Sequence, residues 1–571
     1  MNRPVPAAIH VRSSQPDISR RGFVKGLAAI AAVIAVSEGC NGLNPIVVDD
    51  DKKNILVLAN RGDPPAHFST LRTSSISLHH SAGAIFGPGN LVMRNRGNMY
   101  LVAPYLARRW VSSPDFTEWT FILRRDVFWH DGTQFGPDDV KFWLDLAAFG
   151  LKQGDQVRAP AYYTGELAIK QVEVIPPDQV KITLNGPNRF FPDVLADPRI
   201  KIDHPRHLME KQIKDGEINV SPSDVGMIGL GPFKFDSYEN GSVIRVRRFD
   251  QYFEQDSSGT ALPYLDGIDY IITPDAQSMD IAFRTGRLDG TARGFGHYLT
   301  ETRLKEYVKD LGDSVVFPLM EGGTFRLAFN VLKSGPWQDA RVRRAIALWI
   351  DKKAAVPLVL DGFGWTSPDV SPNNPVKDKN FVIWPRLDSQ DLTANRFEAR
   401  RLLSEAGFSA GFSMGYLCRA ENGLPGGQFL KDQLAGLGIE LRLQIVDEAE
   451  WNRGRVSLDY DSQSGALSVL PIPEGTEGVY GRASKAPDAY AKHEDLEIDR
   501  FYRELKDAST YDRRLDVWTQ LQKYLFVDQT YVIPIAEITY IQAFRDYVKG
   551  LVIPPEDGHT FTDYATVSLE R

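Results

Sequence analysis

The chain has 571 residues, of which 43% are apolar, 25% charged and 11% aromatic, and its formal net charge is −8. These shares exclude a disordered polymer, the length exceeds what one hydrophobic core serves, and the acidic balance argues against a nucleic-acid partner. The only cysteines, Cys40 and Cys418, exclude a disulfide framework.

Ser19-Arg20-Arg21-Gly22-Phe23-Val24-Lys25 is a twin-arginine pattern, and the uncharged run Leu27 to Val36 follows it. That run is about half of the roughly twenty residues a membrane-spanning helix needs. Paired arginines, a short apolar run and then small residues read as an export signal rather than a core helix. The run ends at Ser37-Glu38-Gly39-Cys40, where the glycine and cysteine resemble a bacterial lipoprotein cleavage site. Acylated Cys40 then becomes the first mature residue; ordinary cleavage instead leaves a freely diffusing protein. Five basic and two acidic residues fall before Cys40, so the mature part carries −11. No second apolar run of spanning length follows, and the mature chain is expected outside the cytoplasmic membrane.

Val47 to Lys53 is a polar tether, and Asn54 to Ala59 a short apolar strand ending at the Gly62-Asp63-Pro64-Pro65 turn. Adjacent His79-His80 falls in a loop, where solvation is the plain reading and nickel binding the sharper one. Glu118 to Leu123 alternates as a strand. His130 stands at the Asp131-Gly132 turn with no second histidine at ligand spacing, so a turn histidine is favoured over acid–base or metal chemistry. Pro137-Asp138-Asp139 opens a helix whose apolar face is Val140, Trp143, Leu144 and Ala147. Lys170 to Leu184 is a pair of strands around Pro176-Pro177-Asp178, and Phe233 to Arg247 a hairpin at Asn240-Gly241.

A strand at Ile268 to Ile272 precedes a helix at Asp275 to Thr285, and a strand at Thr324 to Asn330 precedes a helix at Ala340 to Ile350. Arg341, Arg343 and Arg344 read as a helix face paired with nearby acids. Glu398 to Ala406 and Gly427 to Leu437 are helices closed by Gly407 and Gly438. Met414 to Cys418 is a buried strand, with Cys418 a small core residue rather than a reactive thiol. Ile439 to Val446 is a strand, Tyr511 to Phe526 a helix and Tyr531 to Ile535 a strand. Interleaved strands and helices make the class α/β.

Successive blocks resemble the extracytoplasmic solute-binding proteins of peptide- and nickel-type ABC importers, family 5. Pro104-Tyr105-Leu106-Ala107, Arg109-Trp110, Phe128-Trp129-His130-Asp131-Gly132 and Pro137-Asp138-Asp139-Val140 begin the series. Gly229-Leu230-Gly231-Pro232-Phe233, Pro263-Tyr264-Leu265-Asp266, Gly286-Arg287-Leu288-Asp289 and Asp339-Arg341-Val342-Arg343 continue it. Ile533-Pro534-Ile535 and Val548-Lys549-Gly550 close it. In order, they cover about residues 54 to 555.

The resemblance implies a two-lobed periplasmic-binding-protein-like α/β fold of type II, with an extra subdomain inserted in the first lobe. Residues 54–81, 196–320 and 531–571 would build the first lobe, 82–195 the insert and 321–530 the second lobe, after an export signal at 1–39 and a tether at 40–53. Hinges are expected near Thr324–Asn330 and Tyr531–Ile535. The implied role is a monomeric, non-catalytic binder without cofactor or metal. It captures a solute of the oligopeptide or oligosaccharide class and delivers it to an ABC permease, anchored through Cys40 where that residue is acylated. Sensing for a receptor is an alternative. A twin-arginine-exported enzyme lacks support, because no Cys-x-x-Cys-His, Gly-x-Ser-x-Gly or cofactor fingerprint occurs.

By position, the resemblance places ligand contacts at Ser74, Ser75 and Ile76 after the first strand. Others fall at Thr291, Ala292 and Arg293, and at Phe325 near a hinge. The oligopeptide branch supplies an arginine, a tryptophan and an ammonium-binding aspartate after the Asp459-Tyr460-Asp461 stretch. Here those positions become Ser464, Leu467 and Leu470. A buried ammonium without a carboxylate is costly, which leaves Glu474 or Glu477 as substitutes or an uncharged ligand end. Trp365, Trp384 and Trp451 are core residues or sugar-stacking surfaces.

Overall fold

A computed structural model describes residues 54–571 except 65–75, 97, 154–155, 159–166, 198–199, 215–221, 274, 292–300, 361, 363, 367–390, 420–422, 468–475, 487–488 and 553–562. Arg20, Arg21, Cys40, the tether, Ser74, Ser75, Ala292, Arg293, Trp384, Leu470 and Glu474 lie outside the described residues.

The chain enters through β1 (Ile55–Arg61) and α1 (Ile76–Phe86). His79 and His80 lie within α1 and not in a loop, which corrects the sequence reading. The insert follows, with β2 (Ala107–Ser112), β3 (Glu118–Leu123), α2 (Pro137–Phe149), β4 (Ile169–Ile175) and β5 (Gln179–Leu184). Its sheet is antiparallel in the order β2-β3-β5-β4. Period-two burial on β5 and buried Val140, Trp143, Leu144 and Ala147 on α2 meet in one core around Trp129.

The hairpin β6 (Phe233–Glu239) and β7 (Val243–Arg248) returns the chain to β8 (Gly267–Thr273). The first-lobe sheet has the order β1-β8-β7-β6, and only β1 and β8 are parallel. His130 braces this junction. Gly229 N–H donates to Nδ1 at 3.1 Å, and Nε2 lies 3.0 Å from the Gly231 carbonyl, so the proton sits on Nε2. Burial pushes the ring's pKa down to about 4. It is a neutral structural turn histidine.

The long strand β9 (Leu319–Phe329) leads to α3 (Ala340–Trp349), β10 (Gly364–Thr366) and α4 (Leu392–Glu405). Then come β11 (Phe412–Arg419), α5 (Leu424–Ala435), β12 (Ile439–Val446), α6 (Glu448–Ser457) and β13 (Ser462–Leu467). α7 (Leu496–Asp507), α8 (Tyr511–Lys523) and β14 (Val532–Ile541) finish the second lobe. Its six-stranded sheet has the order β10-β14-β9-β13-β11-β12. One core packs α3 and α5 around Phe325, Leu327 and Phe329, and the other packs α7 and α8 around Ala328.

Arg343 departs from its expected role. It is buried and makes no ion pair among the described residues, forking instead onto the carbonyls of Trp337, Gln338, Gln529 and Thr530 and lying over Tyr531. Of that cluster, Arg341 alone makes an ion pair among the described residues, with Asp339 at 2.6 Å.

Candidate ligand-binding cleft

Strand direction locates the cleft. β9 and β14 are antiparallel neighbours from Leu319↔Ile541 to Ala328↔Val532. Just beyond Leu319 and Ile541, Val315–Val316 pairs with Phe544–Arg545, and Phe544 bridges Gly290, which bridges Leu58 on β1. The two strands therefore leave the second-lobe sheet and end against the first lobe. A register shift between Glu321 and Thr324 places an extra residue in β9 at Gly322-Gly323, a bulge where the ladder can bend.

In the second lobe, β13 runs antiparallel to β9, with Leu467 opposite Thr324. β11 is parallel to β13 and to β12, and Arg419 is in register with Val446. The carboxyl ends of β11, β12 and β13 thus share the edge from which the crossing strands depart. In the first lobe, the Gly290 bridge is parallel to β1 and antiparallel to Phe544. β1 therefore also runs toward the crossing. Carboxyl strand ends face the cleft from both sides, the usual place for a ligand on open α/β sheets.

On the first-lobe side, the segment leading to Ala292 and Arg293 is clamped. Asp289 accepts Val57 N–H at 2.8 Å and the Arg571 guanidinium at 2.8 Å. Thr291 N–H donates to the Ala543 carbonyl, and the Thr291 hydroxyl oxygen accepts Ala543 N–H, each at 2.9 Å. The predicted contact segment after Thr291 therefore begins from a fixed end. Ile76 is the first residue of α1.

On the second-lobe side, register places Trp365, Glu537, Thr324 and Leu467 in one row across β10, β14, β9 and β13. Phe325 is 6% exposed and packs in the α3–α5 core, where a Cβ on Gly426 would meet its ring at 2.4 Å. Ser464 is buried opposite Leu327. Asp461 accepts Gly415 N–H at 2.7 Å, contacts Lys333 at 3.1 Å, and stands about 20 Å along β13 from the Leu467 edge. Glu477 is taken by Lys506 at 2.6 Å. Neither carboxylate is placed to meet an ammonium at the cleft edge.

Arg419 is the cleft-edge group that sequence patterns did not single out. It ends β11, is half-buried, and makes no ion pair among the described residues. Its guanidinium lies 4.7 Å from the Trp451 ring centroid, and Arg455 lies 4.7 Å from that ring and 5.2 Å from Tyr490. α6 brings Trp451 there: Asp447 caps the helix through Glu450 N–H, and Gly454 lets it approach β11, where a Cβ would meet Leu417 at 3.1 Å. The indole face holds the Arg419 guanidinium in place. Trp451 is itself buried, so it supports Arg419 rather than presenting a free face to a sugar. Among the described residues, no group of three or more His, Cys, Asp or Glu is arranged to hold a metal.

Comparison with known proteins agrees with this architecture. The family model "bacterial extracellular solute-binding proteins, family 5" matches residues 102–474. The dipeptide-binding protein of Escherichia coli K12 is 24% identical, over 97% of this chain and 99% of that protein. The PBP AgaA of A. tumefaciens R10, solved with agropinic acid, superposes with a TM-score of 0.74 at 21% identity, over 90% of this chain and 99% of that one. Helicobacter pylori DppA, solved with the peptide STSA, gives 0.74 at 19% identity, over 90% and 98%. At these identities the structural likeness is one of fold, a two-lobed α/β binding-protein fold.

Proposed function

We propose a function from one premise: the chain belongs to the bacterial extracellular solute-binding proteins of family 5. It is the solute-binding component of an ABC importer, acts outside the cytoplasm, and holds its solute between two lobes without catalysis. Within that role, the solute is a small peptide-type molecule with a free carboxylate, and Arg419 receives that carboxylate. The observation carrying this reading is a half-buried guanidinium without an acid partner among the described residues, held by Trp451 at the cleft edge. The relatives named for a dipeptide and for agropinic acid favour the same chemistry. Residues 54–81, 196–318 and 542–571 form the first lobe, 82–195 its insert and 319–541 the second; the strand orders support this division and correct the expected bounds, because Leu319–Phe329 and Val532–Ile541 pair within the second-lobe sheet. Ser74, Ser75, Ile76, Ala292 and Arg293 contact the solute from the first lobe, and Leu467 and Leu470 from the second.

The ligand's amino end does not sit in a standard aspartate pocket, since Asp461 and Glu477 are engaged elsewhere. The test is a thermal-shift and calorimetric screen of di- and tripeptides, their carboxyl-terminal amides, oligosaccharides and nickel. A ligand at a hundred times its Kd should stabilise the protein by about 2.7 kcal/mol. Acids should outbind amides, and Arg419→Gln should remove that preference at a cost of about 2–4 kcal/mol. Equal binding of acids and amides would refute the carboxylate assignment. The protein works as a monomer tethered through acylated Cys40; Cys40→Ser should release it from membranes into the soluble fraction.

A further inference from the structure

We infer that the lobes carry a built-in closing latch, in which Arg514 of the second lobe seats on Phe190 of the inserted subdomain. The Arg514 guanidinium carbon lies 3.7 Å from the Phe190 ring centroid. Next to it, Arg189 Nη1 donates to the Ser509 carbonyl at 2.7 Å across 320 residues of sequence. Both halves are stiff before they meet. Trp119 Nε1 donates to the Asn188 carbonyl at 3.2 Å, and Phe190 N–H to Asn188 Oδ1 at 3.0 Å. The Thr510 hydroxyl caps α8 by accepting Arg513 N–H at 3.1 Å. These ends are pre-organised, so little is spent on ordering them at contact.

The chemistry suits a joint that opens and closes. A guanidinium on an aromatic face and one exposed hydrogen bond both tolerate water when separated, unlike an apolar interface. The contact lies at the amino end of α8, about 20 Å along the helix from the turn that returns the chain to β14. It is therefore remote from the crossing strands, where leverage on rotation about the Gly322-Gly323 bulge is large. Arg514 is 4% exposed in this arrangement.

This inference rests on the two-lobed closing reading, but its test needs no solute and survives failure of any ligand assignment. Nitroxide labels at exposed Lys170 and Asp507, in a Cys40→Ser background with Cys418 buried, report inter-lobe distance in the ligand-free protein. Arg514→Gln and Phe190→Leu should each lower the short-distance population relative to the long by about tenfold. The double variant should go little further, because the two groups act as one contact. Phe190→Leu keeps apolar bulk and guards against misfolding. Unchanged distance distributions in both variants, with or without a lower Tm, would overturn the latch and leave a merely structural contact.

Discussion

Replacing Arg343 with Met should cost the fold about 3 kcal/mol while keeping the side chain's length. Arg343 reaches four carbonyls: Trp337 at 2.7 Å, Gln338 at 2.9 Å, Gln529 at 2.6 Å and Thr530 at 3.2 Å. A methionine leaves all four unpaired in a site where Arg343 itself is 2% exposed. At about 1.5 kcal/mol for each orphaned carbonyl, the gross loss is about 6 kcal/mol. Against this, the variant no longer buries a charge. Desolvation lowers the guanidinium's pKa from 12.5 to about 10, which corresponds to about 3 kcal/mol returned. The balance is about 3 kcal/mol of destabilisation. Urea unfolding should show a lower midpoint with an unchanged m-value. Arg343→Lys should recover little, since one ammonium cannot fork onto four acceptors. A loss below about 1 kcal/mol in both variants would refute the view that this side chain ties α3 to the entry of β14.

Three further outcomes follow from the geometry. His130 is neutral in the fold with its pKa depressed to about 4 from 6.5; the unfolded chain takes up its proton first, so the contribution is complete above pH 6.5 and declines toward pH 4. It should amount to about 3 kcal/mol, read as the difference in pH slope between wild type and His130→Gln; parallel slopes would dismiss it. The Cys418 thiol is buried with its pKa raised to about 11, so a thiol reagent should label it only on unfolding, and fast labelling of native protein would contradict that burial. Gly426→Ala should destabilise by about 1–3 kcal/mol, because its methyl would meet Phe325 at 2.4 Å; a neutral effect would mean the Phe325 ring is not fixed.

Elements with local signals were legible. Pro137-Asp138-Asp139 opens α2 as read, with Asp139 accepting Gly136 N–H at 2.9 Å, and Asn240-Gly241 turns the β6–β7 hairpin. α4 begins at Leu392, six residues before the expected Glu398, because Asp391 caps it through Ala394 N–H at 2.9 Å. That cap was readable, but exposed Phe397 obscured the apolar period. β14 runs to Ile541, beyond Ile535, because its outer half pairs with β9 rather than following its own pattern. Arg343 defeated the charge-run reading for a similar reason, since its partners are backbone carbonyls, and that of Gln529 is 186 residues away. Arg419 was invisible because its position depends on the parallel register of β11 with β12 and on a tryptophan 32 residues downstream. Motifs report local backbone; a cleft edge is made by register between distant strands.

The charge pattern also bears on how such a protein selects its solute. The whole chain is acidic at −8, yet the described cleft edge offers Arg419. At physiological salt the net charge is screened beyond about 8 Å, so it neither steers nor repels a small anion effectively. The guanidinium acts only at short range, and its attraction grows as closure removes water. Selection therefore belongs to the closed arrangement rather than to first encounter. A solute that bridges Arg419 to the first-lobe segment after Thr291 stabilises closure by the difference in its contacts between the two states. The Arg514–Phe190 contact adds a fixed bias to the same equilibrium whatever the solute. Strengthening it would raise affinity for every ligand alike, whereas changing Arg419 would alter which ligand is preferred.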